Sequence, residues 1–379
     1  MQPIYLDYNA TTPVDPAVAE AMQPYMVTHY GNPSSAHSYG RTAKDAVEHA
    51  RARAADLLGS TADEVIFTSG GTESNNTVLK GVAYTYRHKG DHIVTSQIEH
   101  PAILNPCAFL ERQGVRVTYL PVDHMGMVDP DDVRRALTAQ TILISIMHAN
   151  NETGTIQPIA EISRIAREHG VLMHTDAAQS VGKIPASVAE LGVDFLSIAG
   201  HKVYAPKGIG ALYIRAGLPL EPLMHGAGHE GGRRAGTENV SFDVGLGKAC
   251  EVAKADLARY QRVVGALRDL LEQQLQKHLG DRMVLNGHPQ QRLPNTLNVN
   301  FRGVVGAELL EKIPGLAAST GSACHSGEVA LSSVLRAMHV PPEVGMGAVR
   351  LSLGRYTTGE DVERTVELVV RAHAGLSSA

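Results

Sequence analysis

Seven short runs between residues 64 and 214 are almost continuously apolar: "EVIFTS" (64–69), "HIVTS" (92–96), "VRVTYLPV" (115–122), "TILISIMHA" (141–149), "GVLMHTD" (170–176), "VDFLSIAG" (193–200) and "GIGALYI" (208–214). A strand with one wet face alternates apolar and polar residues. Most of these do not alternate, which favours a mainly parallel sheet covered by helices on both faces. One covering helix is legible in "QPIAEISRIAREHG". Pro158 suits its first position, Gly170 its C-terminal cap, and Ile159, Ile162, Ile165 and Ala166 its apolar face. The class is α/β, with right-handed crossovers expected. After about residue 250 the pattern changes to long helical stretches, the strand "LPNTLNVNF", a cysteine-bearing loop and a last helix near "GEDVERTVELVVRAH". This reads as a second, smaller α+β domain.

In an open α/β sheet, ligands bind beyond the carboxyl ends of the strands. Five such ends are polar or glycine-rich: Ser69-Gly70-Gly71-Thr72, Glu99-His100, Asn150-Asn151-Glu152, Asp176-Ala177-Ala178-Gln179 and Gly200-His201-Lys202. "FTSGGTESNN" is a strand, a glycine turn and a helix start, which is either a phosphate cradle at Gly71 and Thr72 or a plain helix cap. Asp176 follows a buried strand, so its carboxylate needs a partner: a protonated heterocyclic nitrogen, or an Arg or Lys of the protein. Lys202 follows another. It is either a desolvated nucleophilic amine or a solvent-facing lysine. "GAGHEG" (226–231) matches a dinucleotide fingerprint but lacks a preceding strand and a following apolar-periodic helix. The glycines around His225 and His229 argue against a helical metal pair.

The net charge of −5 gives no electrostatic case for nucleic acid or anionic membrane, and aromatic residues at 4% with no Trp weigh against base stacking. No apolar run is long enough to span a bilayer, and "MQPIYLDYNATTP" lacks the pattern of a signal peptide. Three cysteines make no disulfide framework, so a reducing, cytoplasmic setting is expected. One of them, Cys324, sits in "STGSACHSG" (319–327) among small residues, which suits a nucleophile on a movable loop.

One cofactor uses a phosphate cradle, a carboxylate for a ring nitrogen and a lysine for an aldehyde: pyridoxal 5′-phosphate (PLP). The strand-end set, in this order, resembles the class V aminotransferase-like PLP enzymes, and more closely the cysteine desulfurases of the NifS type. The resemblance runs through "YLDYNATTPVDP", "YGNPSSAHSYGR", "FTSGGTESNN", "IEHPAI", "HANNETG", "HTDAAQSVGKIP", "GHKVYAPKGIGALY", "GRRAGTEN", "RLPNTLNV", "STGSACHSG" and "VRLSLGRYTT". It implies fold type I, with a large PLP-binding domain at 15–255 and a small domain made of 1–14 and 256–379. It also implies roles. Lys202 carries the cofactor, Asp176 faces the ring nitrogen, His100 stacks on the ring and serves as an acid–base group, and Gln179 bonds the ring hydroxyl. Gly71, Thr72 and His201 hold the phosphate, with Thr237 donated across a homodimer interface. Asn151 and Arg355 hold the substrate carboxylate, and Cys324 takes the sulfur of L-cysteine as a persulfide, leaving L-alanine. A protein sulfur acceptor such as an iron–sulfur scaffold is the implied partner.

Two positions depart from the family pattern. Ala199 replaces a common serine, removing one phosphate hydroxyl, and His325 follows the cysteine where threonine or serine is usual. Cys-His-Ser is closer to the selenocysteine lyases, which makes L-selenocysteine the competing substrate. A cofactor-free thiol hydrolase using Cys324 and His325, or a non-catalytic binding module, leaves Lys202 and Asp176 unexplained.

Overall fold

A computed structural model of the chain describes residues 3–320, 322–325 and 328–377; for 322–325, 328–330 and 377 the backbone alone is described. In chain order β1 (Ile4–Tyr5) precedes α1 (Pro16–Val27) and α2 (Ser38–Leu58). Strands and helices then alternate: β2 (Val65–Thr68), α3 (Gly71–Thr85), β3 (His92–Ser96), α4 (Pro101–Glu111), β4 (Arg116–Leu120), α5 (Pro130–Ala136), β5 (Thr141–Ser145), α6 (Ile159–Glu168), β6 (Leu172–Asp176), α7 (Val188–Leu191), β7 (Phe195–Ala199) and β8 (Gly210–Ile214). The remainder holds α8 (Val240–Leu279), β9 (Met283–Asn286), β10 (Thr296–Phe301), α9 (Gly306–Glu311), β11 (Leu316–Ala317), β12 (Ser319–Thr320), β13 (Ser322–His325), β14 (Glu328–Leu331), α10 (Ser333–Ala337), α11 (Pro342–Gly345), β15 (Ala348–Ser352) and α12 (Gly359–Ser377).

The seven apolar runs form one sheet in the order β2-β8-β7-β6-β5-β3-β4. Strand β8 runs antiparallel to both its neighbours, and the other pairings are parallel. Alternate residues feed opposite faces. Val65 and Phe67 enter one core cluster, whereas Ile66 enters the other. Edge strand β4 is the least buried of the seven, and it carries exposed Arg116. In α6, Pro158 precedes the helix as its cap instead of opening it, a shift of one residue.

A second sheet, β12-β15-β10-β9, is antiparallel throughout. Its core gathers Leu297, Val299 and Leu351 with Ile4 and Leu6 from the start of the chain. Helix α8 is one unbroken element of 40 residues, about 60 Å long. It passes through the expected boundary at 255, with Cys250 in the interior of the large sheet and Tyr260 in that of the small one. Within the segment expected as a loop, residues 322–325 instead form β13, paired antiparallel with β14, with Cys324 opposite Val329. The partner strand lies beyond the motif, so the motif alone holds only half of the ladder.

Candidate functional site

A cavity of about 400 Å³ opens where the carboxyl ends of β2, β6 and β7 meet the segment after β1. One end of it is the start of α3. Gly70 caps that helix at φ 150° and offers no side chain to its amides. The first-turn N–H groups, at Gly71 and Thr72, have no carbonyl one turn earlier to receive them, which makes the terminus an anion cradle. A Cβ at Gly71 would stand 3.4 Å from the Ala199 Cβ and begin to fill that cradle. Ala199 lines the cavity without a hydroxyl, as its identity requires, while His201 lines it close by. The His201 ring bonds the Thr11 hydroxyl at 3.2 Å, and burial, then Lys202, pushes its pKa down to about 4. It is therefore neutral at pH 7.

Asp176 ends β6 with its carboxylate in the cavity wall. One oxygen accepts from Asn75 Nδ2 at 2.6 Å and the other from the Ala178 amide at 2.9 Å. Among the described residues no Lys or Arg pairs with it, so the protein-cation alternative is not taken. Asn75 is buried, and its Oδ1 has no partner among the described residues. Lys202 closes a single 3₁₀ turn after β7, and its Nζ donates to the carbonyls of Asn9 and, at 2.7 Å, Ala10. Burial, followed by the charge of Arg350, brings its pKa down to about 8. His100 caps α4 and exposes its ring at the cavity. Its Nδ1 accepts from the Ala102 amide at 3.1 Å, which leaves the ring proton of the neutral form on Nε2. Surrounding protein lowers its pKa, Asp176 opposes that, and Lys202 adds to it.

The residue set suits PLP: an anion cradle, a carboxylate for a ring nitrogen, an amine with lowered pKa for an aldehyde, and the unpartnered Asn75 Oδ1 in the wall. Gly71, Thr72, His100, Asn151, Asp176, Gln179, His201 and Lys202 are brought together as expected. Two residues are not. Thr237 is exposed and lies outside this chain's cavity. Arg355 is held away from it by Asp15 at 2.6 Å and Asp256 at 3.3 Å, with its guanidinium 4.4 Å from the centre of the Tyr204 ring. The arginine in the cavity is Arg350, on β15. It donates to the Asn151 carbonyl at 2.9 Å and Asp7 at 2.7 Å, and its buried Nε has no partner among the described residues. Both arginines lie in "VRLSLGRYTT", and only the pairing of β15 into the small sheet separates them.

Sequence reasoning also passed over Asn9, in the quoted "YLDYNATTPVDP", and Asn75, one residue short of the end of "FTSGGTESNN". Neither type has a charge to flag it. The side chains of Cys324 and His325 lie outside the described residues. The segment bearing them is fastened at both ends to the cavity's surroundings: Ser319 Oγ donates to Asp7 at 2.8 Å, and Ser332 Oγ to Glu152 at 2.5 Å. Cys107 and Cys250 are buried elsewhere, with thiols pushed up to about 12 by burial.

Behind the cavity, Glu99 accepts from Ser96 Oγ at 2.7 Å and the Met147 amide at 2.9 Å, and its Oε2 has no partner among the described residues. Burial raises its pKa from 4.5 to about 8. Folded protein thus keeps this proton where unfolded chain gives it up. The stability it contributes is complete below about pH 4.5 and is lost as pH rises through about 8. Glu99→Gln, which has no proton to lose, is expected to melt within a degree or two of the parent at pH 5 and about 5 °C higher at pH 8.5. Thermal melts across that range check it; a constant difference at all pH values would contradict it.

The class V aminotransferase family model matches residues 4–365. The cysteine desulfurase IscS of Dictyoglomus turgidum is 51% identical over 97% of this chain and 94% of its own length. That of Methanosarcina thermophila is 53% identical over 97% of this chain and 91% of its own. Among solved structures, a NifS-like protein superimposes with a TM-score of 0.92 at 39% identity, covering 98% of this chain and 99% of that one. SspA in complex with cysteine gives a TM-score of 0.83 at 37% identity, over 93% of this chain and 99% of that one.

Proposed function

We infer how the site works from one premise: the chain belongs to the class V aminotransferase family, and it is a PLP-dependent cysteine desulfurase that takes sulfur from cysteine for transfer to acceptors. The observation that carries the site reading is the convergence of Asp176, Lys202 and the α3 terminus on one cavity, with Arg350 and Asn151 in the same wall. Bound PLP supplies an electron sink at the substrate's Cα.

This chain's residues do the rest. Gly71, Thr72 and His201 would hold the phosphate, Asp176 the ring nitrogen, Gln179 the ring oxygen, and His100 would pack on the ring. The Lys202 amine, freed of part of its proton by burial, would hold the cofactor's aldehyde and move the proton at the substrate's Cα. Arg350 receives the substrate carboxylate in place of Arg355, and Asn151 assists. The Cys324 thiolate attacks the substrate sulfur. An S–S bond forms as the Cβ–S bond breaks, and the electron pair leaves with Cβ. Cysteine and enzyme thiol become alanine and enzyme persulfide, with atoms and electrons balanced.

The reading is tested by purifying the protein with PLP. It is expected to be yellow, to be fixed covalently at Lys202 by borohydride, and to form alanine from cysteine. Colourless protein that gains no colour with PLP would overturn it. The carboxylate assignment separates the two arginines. Arg350→Lys, which loses the planar fork, is expected to lower kcat/KM for cysteine about 30-fold, mainly through KM. Arg355→Lys is expected to leave KM within about twofold and to lower the melting temperature, because it loosens the Asp15 and Tyr204 contacts. The reverse pattern in steady-state kinetics would restore Arg355 to the substrate.

The site reading extends to a homodimer in which Thr237 completes the partner's phosphate site. Its exposure, and the anchoring of its segment by Arg234 to Glu73 at 2.8 Å, support this. So do Val27, Tyr30 and Tyr39, exposed at 71%, 72% and 55%. The acceptor is a protein such as an iron–sulfur scaffold, and the setting the cytoplasm; among the described residues no helix is long and apolar enough to cross a membrane. We further propose a large domain, 15–255, and a small one, 1–14 with 256–379; the placement of Cys250 and Tyr260 in separate interiors supports the division.

A further inference from the structure

Lys183 is buried to 3% exposure, and among the described residues no carboxylate pairs with it. Its Nζ donates to two neutral oxygens, Asn9 Oδ1 and Gln179 Oε1, each at 3.0 Å. Burial, with Lys202 and Arg350 adding to it, lowers its pKa well below the ordinary lysine value. Such a group is costly to keep, and the reaction gives it no step.

Its value is geometric. A lysine nitrogen meets an amide through the amide's oxygen, because it has N–H groups to give. Lys183 therefore fixes which way the planar Gln179 amide faces: the oxygen to Lys183, the nitrogen away from it. That nitrogen donates to the Asn9 carbonyl at 3.0 Å, and Gln179 lines the cavity. The same lysine orients Asn9. Asn9 Oδ1 accepts from Lys183 and from Asn295 at 2.9 Å, so its Nδ2 donates to Thr296 Oγ1 at 2.9 Å and the Asn151 carbonyl at 3.2 Å. The main-chain oxygen of this pinned residue receives Lys202 Nζ.

We propose that Lys183 is a positioning residue for the cofactor: it locks the Gln179 amide with its N–H available to the cofactor's ring oxygen and holds Asn9 beneath Lys202. This rests on the reading of the cavity given above. Without Lys183 the Gln179 oxygen is orphaned, and the amide is free to turn that oxygen toward the ring oxygen.

The test titrates cofactor-free protein with PLP and follows the visible band against pH. Lys183→Met, similar in volume and without a donor, is expected to weaken PLP binding about tenfold. It is also expected to raise the band's midpoint pH, because the deprotonated ring oxygen loses its donor. In a Gln179→Ala background the same change is expected to alter both quantities little. Gln179→Glu keeps the Lys183 contact and removes the donor. It is expected to weaken PLP and raise the midpoint, and it serves should Lys183→Met fail to fold. Parent-like affinity and midpoint in Lys183→Met or in Gln179→Glu, or equal losses in both backgrounds, would each overturn the proposal alone. Parent protein that takes up no PLP would overturn it together with the cavity reading.

Discussion

Lys202→Ala is expected to abolish turnover, by about 10⁴-fold or more, and to leave no borohydride-fixed cofactor. Two proposed functions would vanish with one nitrogen: the amine that holds the aldehyde and the base that moves the Cα proton. The native amine is suited to both. With its pKa at about 8, roughly a tenth of it is unprotonated at pH 7, whereas at the ordinary 10.5 the fraction would be about one in 3000. Cofactor capture by the parent apoprotein should therefore speed up about tenfold per pH unit below 8 and level off above it. The fold should survive, since the Nζ contacts are to carbonyls of Asn9 and Ala10 at an open cavity. Circular dichroism and alanine release measure the two halves of the expectation. Parent-like turnover in this variant, with no amine added, would rule the assignment out.

Cys324→Ala should lose cysteine desulfuration by about 10³-fold or more while keeping PLP and substrate binding. The residues placed at cofactor and carboxylate, Asp176, Lys202 and Arg350, are untouched. The other thiols offer no substitute, because Cys107 and Cys250 are buried and pushed up to about 12. Cys107→Ala and Cys250→Ala should accordingly leave the rate nearly unchanged. The cofactor's absorbance change on mixing with cysteine should persist in Cys324→Ala, with no alanine following. Alanine formed at the parent rate would exclude the persulfide route through this residue.

The sequence by itself determined the sheet and placed Asp176 and Lys202 just beyond its buried strands. Uninterrupted apolar runs such as "TILIS" can only be strands covered on both faces, and in a parallel sheet each strand's carboxyl end faces the ligand side. Asp176 and Lys202 were therefore visible as charges placed directly after buried strands. What the linear chain could not decide were matters of distance between remote segments. Arg350 and Arg355 are five residues apart and chemically identical. One lies in a strand paired to β10 and β12, facing the cavity; the other is drawn aside by Asp15 and Asp256, 340 and 99 positions earlier. The partner strand of the Cys324 segment lies outside the motif that drew attention to it. Lys183 shows the same limit. Within "QSVGKIP" it looks like any surface lysine. Only tertiary packing buries it beneath the cavity, and only there does a hydrogen bond to Asn9, 174 residues away, give it work to do. Periodicity and local chemistry are written along the chain, whereas hydrogen-bond partners and the exclusion of water are fixed by which distant segments the fold presses together.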